Sequence, residues 1–368
     1  MKEKSIAQSR EKFYNSCMKT ILHNRTLFLN KLCILPVIAW TVLFLTACTH
    51  LRPEPETAYV PDNYLAVSEP IDFDKASLNT IPNNPFSTLS VPTYITKVDN
   101  NYFIVDCYND QVIYHDNLSD PLYEWQVMTN DISKGHTLAS DGLVYLIDDT
   151  ENNRILVMEK DINENGAEIF VPTQEFTGIG NRPHYIIYDA YTDTFYAWSS
   201  QSGEMYLFRH PENDSRMYLT ETRRIPSLNN IYVRSFTIVE DRIYFVSGNS
   251  SIIEADLYTF EIQKEYPVPD QLAGMIQLTP IGDYYYITVS TDVTGNQDYA
   301  TMIRAKNLKD LISGNYEDVY SHFIGGGTPY YITQIEDTWY LTEHRIPGHS
   351  IWSFKVEDNE ITSVTTIY

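Results

Sequence analysis

Six short runs of aromatic and β-branched residues recur down this chain at nearly even intervals, and that recurrence restricts the fold more than any other feature. They are Tyr102-Phe103-Ile104-Val105, Val144-Tyr145-Leu146-Ile147, Phe195-Tyr196-Ala197-Trp198, Ile243-Tyr244-Phe245-Val246, Tyr285-Tyr286-Ile287-Thr288 and Trp339-Tyr340-Leu341-Thr342. Each follows a tight polar turn, such as Asp99-Asn100-Asn101, Asp141-Gly142 or Glu240-Asp241, as the second strand of a hairpin does. Each leads through a polar loop to a third apolar strand, at 112–114, 155–158, 205–208, 252–254, 302–304 and 351–354. A fourth, more polar strand closes each unit. The first strands start near Thr93, His136, His184, Arg234, Met275 and Tyr330, so the units lie 43, 48, 50, 41 and 55 residues apart. That is the period of a four-stranded propeller blade, whereas a helical solenoid would space its apolar residues about 3.6 apart. The expectation is an all-β fold: a six-bladed β-propeller of four-stranded antiparallel blades over residues 91–368. Each sheet has two apolar faces that only its neighbours can cover, so the ring must close to be stable.

One stretch narrows the repeat type. Gly142-Leu143-Val144-Tyr145-Leu146-Ile147-Asp148-Asp149-Thr150-Glu151-Asn152-Asn153-Arg154-Ile155 resembles the NHL repeat, with its glycine turn, apolar strand, then Asp-Thr-x-Asn-Asn-Arg and an apolar residue. The specific motif covers about one blade. Asp106-Cys107-Tyr108-Asn109-Asp110-Gln111-Val112 keeps its outline, and the other blades keep only the architecture.

The first 47 residues read as a leader. Residues 32–47 are nearly all apolar and follow Arg25 and Lys31, too short a run for a comfortable membrane span but suited to a signal peptide. The run ends Leu45-Thr46-Ala47-Cys48, which resembles the bacterial lipobox. That resemblance implies cleavage before Cys48 and a diacylated (palmitate-type) cysteine that anchors the protein to the extracytoplasmic face of a cell membrane. Met18, followed by Lys19, is an alternative start that would shorten the leader. Residues 48–90 carry Pro53, Pro55, Pro61, Pro70, Pro82 and Pro85 without apolar periodicity, the composition of a semi-extended tether, with docking expected around 59–67. Cys17 and Cys33 fall in the leader, so Cys107 has no partner left and reads as a buried apolar residue.

Charge excludes one class of partner. The net charge is −23, and since residues 1–47 are positive by 5, the remainder carries −28. A surface that acidic repels nucleic acid.

The site is expected at the channel mouth, where first strands begin and second strands end. Alignment of the units places His136, His184, Arg234 and Tyr330 at the beginnings. It places Asp106, Asp148, Asp149, Glu343 and His344 at the second-strand ends. The face should be polarised, with acids on one arc and His and Arg on another, making a polar pocket for an envelope ligand: carbohydrate, peptide or protein partner. Tyr108, Trp198, Tyr330 and Trp352 are candidates for stacking on sugar rings. The alternative is a metal-dependent lyase or hydrolase, a divalent ion being shared by His136 and His184 with Asp148 or Asp149. The peptidyl-hydroxyglycine amidating lyases, an NHL-type family, are similar in this layout, but the third equivalent position here is Arg234, whose charge opposes a cation. The loop Asp292-Val293-Thr294-Gly295-Asn296-Gln297-Asp298 offers oxygen ligands without the spacing of a calcium-binding hand. No Gly-x-Ser-x-Gly nucleophile motif is present.

Overall fold

A computed structural model describes residues 68–368. Cys48, Cys17, Cys33, the leader and the proposed docking stretch 59–67 lie outside the described residues. The rest forms six antiparallel sheets arranged as a propeller. Blade one is built from Pro92–Val98, Asn101–Asp106, Gln111–His115 and Gln126–Thr129, and blade two from Leu138–Ser140, Val144–Asp149, Arg154–Ile162 and Glu168–Thr177. Blade three follows with Pro183–Asp189, Thr194–Ser199, Glu204–Arg209 and Tyr218–Arg224. Blade four has Val233–Val239, Arg242–Ser247, Ser251–Asp256 and Ile262–Pro267. Met275–Ile281, Tyr284–Val289, Thr301–Ala305 and the short Glu317–Asp318 make blade five, and Thr328–Ile335, Thr338–His344, Ile351–Glu357 and Glu360–Thr366 make blade six.

Side-chain alternation explains why the sheets stand as blades. In blade two, Val144 and Leu146 join the cluster shared with blade three, around Ile186, Phe195 and Phe208. The intervening Tyr145 and Ile147 join the cluster shared with blade one, around Phe103 and Val105. Successive residues of a strand point to opposite faces, so one apolar run serves two interfaces. All six gaps between neighbouring blades are filled in this way, each by its own apolar cluster.

Every blade takes its four strands consecutively, so the ring closes through side chains rather than an exchanged strand. Ile95, Ile104, Ile113 and Trp125 of blade one pack against Ile335, Tyr340 and Ile351 of blade six. Trp125 Nε1 donates to the Tyr368 hydroxyl at 2.9 Å, and that hydroxyl lies 2.6 Å from the Asp120 carbonyl oxygen it donates to. Around the axis, hydroxyls reach the carbonyls of the next blade: Thr93 to His136 at 2.8 Å, Thr150 to Pro183 at 2.7 Å, Ser235 to Ile276 at 2.6 Å and Thr288 to Tyr330 at 2.6 Å. The innermost strands are sheet edges, and these bonds satisfy backbone groups with no strand partner.

The part of the expected tether within the described residues, 68–90, lies on the wheel instead of leading away from it. Glu69–Pro70 pairs with the outer strand of blade two as a fifth strand. Lys75 then pairs with Asp161, the Asn79 amide donates to the Glu164 carboxylate at 2.9 Å, and the Asn84 amide donates to the Leu122 carbonyl at 3.0 Å. Proline-rich composition forecast an extended chain. It did not show that this chain covers open sheet edges, which otherwise invite association.

Candidate functional site at the channel mouth

The first strand of each blade begins at one end of the axis, and the residues just before it stand around the opening. Four blades contribute a pair two residues apart: Lys134 with His136, Arg182 with His184, Tyr232 with Arg234, and Thr328 with Tyr330. All of these but His184, together with Tyr108, His344 and a wall of Ser290, Thr291 and Gln297, line a cavity of about 300 Å³ to which all six blades contribute. His136, Arg234, Tyr330 and His344 thus line one cavity, and the fully buried His184 lies against the His136 ring.

The His136 and His184 rings lie against each other, their centroids 3.7 Å apart and their planes tilted by 41°. His136 Nδ1 lies 2.6 Å from the Lys134 carbonyl oxygen, which can only accept, so the proton is on Nδ1. Nε2 is left as a lone-pair acceptor that bonds no group among the described residues. His184 Nδ1 likewise donates to the Arg234 carbonyl at 3.1 Å, and its Nε2 accepts from the Tyr232 hydroxyl at 3.0 Å. Burial pushes His136 down to about 3, with the Arg182 and Arg234 guanidiniums acting in the same direction. Burial, then its neighbours His136, Arg234 and Arg182, hold His184 well below the ordinary imidazole range. Both rings are therefore neutral near pH 7.

The four carboxylates take a different course from the acidic arc expected of them: none lines the cavity. Asp106 accepts from Ser90 N at 2.6 Å and Asn109 Nδ2 at 2.7 Å. Asp148 accepts from His136 N at 2.9 Å, from Thr137 N and Oγ1 at 2.6 Å each, and from Thr150 Oγ1 at 3.0 Å. Asp149 holds Ser133 N at 2.7 Å and Arg154 Nε at 2.8 Å. Glu343 accepts from the Tyr320 hydroxyl at 2.6 Å. Buried carboxylates are stabilised by hydrogen-bond donors, and loop N–H groups supply them to Asp106, Asp148 and Asp149. Desolvation still raises Asp106 to about 6 and Asp148 to about 7.

With the acids withdrawn, the opening is cationic. Lys134, Arg182 and Arg234 line it against a single carboxylate, Glu151. Lys134 pairs with Asp110 at 3.0 Å and Arg182 with Glu151 at 2.5 Å, both at partly exposed positions. Arg234 lies over the Tyr232 ring at 4.6 Å and donates to the Met275 carbonyl at 3.4 Å. No carboxylate pairs with it among the described residues. Lys134 and Arg182 both have left-handed backbones, φ 56° and 63°. Long side chains seldom adopt that conformation. Bonds from the previous blade hold them there: Lys134 N to Asp110 Oδ1 at 2.9 Å and Arg182 N to Asn153 Oδ1 at 2.8 Å. Gly135 is required beside Lys134, since a Cβ there would sit 2.8 Å from the Asp148 carbonyl oxygen.

The remaining candidates separate clearly. Tyr108 is 59% exposed on the rim, but Trp198 and Trp352 are core residues, buried between blades three and four and between blades five and six. The Asp292 carboxylate is taken up by Thr294 and Asn296 of its own loop. Among the described residues no three His, Cys, Asp or Glu side chains come together to hold a metal. The two histidine rings, with both nitrogens of His184 engaged and Asp148 enclosed, do not form the shared site that an ion would need. A larger hollow of about 770 Å³ opens beside blade five, near Tyr299 and Tyr316, with Asp298 and Asp318 as its charged lining. Lys134, Arg182 and Tyr232 escaped the aligned-unit reading because it took only the first residue of each strand. The two-residue spacing was the signal that identifies them.

No protein-family model matches the sequence, and no curated protein matches it. Solved structures do. One, assigned provisionally as a 6-phosphogluconolactonase from Bacteroides uniformis ATCC 8492, is 12% identical, with 84% of this chain and 95% of that chain covered and a TM-score of 0.51. Another with the same provisional assignment, from Bacteroides fragilis NCTC 9343, is 13% identical over 83% and 91%, also at 0.51. A streptogramin B lyase, 15% identical over 76% and 84%, scores 0.49 and is too distant to bear on this chain. At these identities the likeness establishes the propeller fold and leaves the activity open.

Proposed function

We propose that this chain is a membrane-anchored extracytoplasmic lipoprotein whose NHL-like propeller is a recognition module, binding a small envelope ligand in the cavity on its axis. The observation that carries the reading is the convergence of side chains from six blades on one cavity, where three cations and unshielded aromatic and hydroxyl groups meet. About 300 Å³ is at the small end of ligand cavities, which favours a single small molecule over a folded partner. The anchoring half rests on Leu45-Thr46-Ala47-Cys48 after an apolar run.

Two experiments test the reading. Metabolic labelling with an alkyne fatty acid should mark the wild type and not Cys48→Ala, and label retained on the variant removes the anchor. Hydrogen exchange of the full chain in detergent should be measured against paired neutral and acidic sugars, amino acids and short peptides. At least one should protect the loops at 132–136, 180–184 and 230–234. If no compound protects them, the mouth is not the ligand site.

A further inference from the structure

We infer that the ligand of this cavity is an acidic sugar, held by its carboxylate on the Arg234 side and by its ring and hydroxyls on the rest. The inference rests on the recognition reading above and specifies its substrate class. Four features of the cavity each call for one part of such a molecule.

The charge calls for an anion. The chain beyond its leader is negative by 28, yet the cavity holds Lys134, Arg182 and Arg234 against Glu151 alone. In a protein this acidic, a positive hollow is a local reversal of field that selects against cations and focuses small anions. Arg234 matters most, since Lys134 and Arg182 have carboxylate partners and it has none among the described residues. A planar guanidinium backed by the Tyr232 ring at 4.6 Å offers a fork for a carboxylate.

The uncharged groups call for a hydroxylated ring. His136 is locked as the Nδ1–H tautomer by the Lys134 carbonyl at 2.6 Å, so its Nε2 presents a lone pair. A carboxylate has no proton to give that nitrogen, whereas a sugar hydroxyl has. Ser290, Thr291 and Gln297 on the opposite wall supply further donors and acceptors. Tyr108, 59% exposed on the rim under Lys134 Nζ at 4.9 Å, gives an apolar face of the size of one sugar ring. A bare anion such as acetate or phosphate uses the cations and wastes the rest. A neutral sugar uses the rest and leaves the cations unanswered.

The test is titration calorimetry of the full chain in detergent with D-glucuronate and D-galacturonate, against D-glucose, D-galactose, acetate and inorganic phosphate. Expected is binding of at least one uronate ten or more times tighter than both its neutral counterpart and acetate. The preference over the neutral sugar should weaken severalfold between 50 mM and 300 mM salt. Arg234→Lys, which keeps the charge and loses the fork, should cost at least tenfold in uronate affinity. Tyr108→Ala, at an exposed position that does not threaten folding, should weaken uronate and leave acetate unchanged. Equal binding of the neutral sugars, with the mouth protected in hydrogen exchange, overturns the acidic class and leaves the recognition module standing. Equal binding of acetate or phosphate overturns the recognition of a ring. Protection of the mouth by an amino acid or peptide, with no response to either uronate, overturns the sugar and keeps the site. The absence of protection by any compound removes the site as well.

Discussion

The Thr342 hydroxyl of blade six donates to the Thr93 carbonyl of blade one at 2.8 Å, across 249 residues of sequence, and the Tyr331 amide donates to that same hydroxyl at 3.1 Å. One side chain thus satisfies both an edge carbonyl of the first blade and an edge amide of the last, at the seam where no strand is exchanged. Thr342→Val keeps the shape and removes both bonds. It should destabilise the ring by about 1–3 kcal/mol, because buried backbone groups are left unpaired. Urea unfolding followed by tryptophan fluorescence reads this directly, and a change under about 0.5 kcal/mol would mean the seam is held by its apolar cluster alone.

The histidine pair predicts an acid-sensitive fold. An imidazole whose folded pKa is depressed binds fewer protons folded than unfolded, so stability falls as pH drops below the unfolded value near 6.5. For His136 the loss continues down to about 3. Each histidine removes up to about 1.4 kcal/mol per pH unit in that window. His210 has the opposite sign. Its hydrogen bond to Asp141 at 2.6 Å raises it, so its contribution is complete below 6.5 and is lost at higher pH. Melting from pH 7 to 5.5 should show a decline that is flattened in a His136→Asn, His184→Asn double variant. An unchanged slope would assign the decline to other groups.

Arg182 should show function opposing stability. Its φ of 63° costs about 1 kcal/mol for a residue with a Cβ, while its partly exposed pair with Glu151 returns less than that. Arg182→Gly should leave the unfolding free energy within about 1 kcal/mol of wild type and weaken binding of an anionic ligand severalfold. A large loss of stability would show that the arginine is there for the fold.

The best-matched motif should prove structural. Asp149 is fully buried and gathers Ser133 N, Asn152 and Arg154, and Arg154 continues to Glu175 at 2.7 Å. Asp149→Ala strands a partly buried guanidinium and a loop amide, a loss of about 3–5 kcal/mol by analogy with other broken buried pairs. Ligand affinity of the molecules that remain folded should be unchanged, which calorimetry below the melting transition can check.

The blades were legible because their information is local. The run Val144-Tyr145-Leu146-Ile147 states in four residues that a strand is present, that both faces are buried, and that two neighbours are needed. Repetition near 45 residues then leaves little besides a wheel. The gathering of His136, Arg234, Tyr330 and His344 was also legible, since equivalent positions in a repeat must meet at the axis.

What the sequence by itself determined was thus the number of sheets, their order and which end of each faces the axis, all of which follow from period and spacing along one chain. Only the tertiary structure decided which groups face the cavity. Asp106, Asp148 and Asp149 turned away because donors nearby met their demand for hydrogen bonds first, and Glu343 lies against the Tyr320 hydroxyl. Lys134 and Arg182 turned in because the preceding blade's Asp110 and Asn153 hold their backbones in a left-handed conformation. The net sign of a site depends on that competition among partners brought together by ring closure, and no stretch of local sequence contains it.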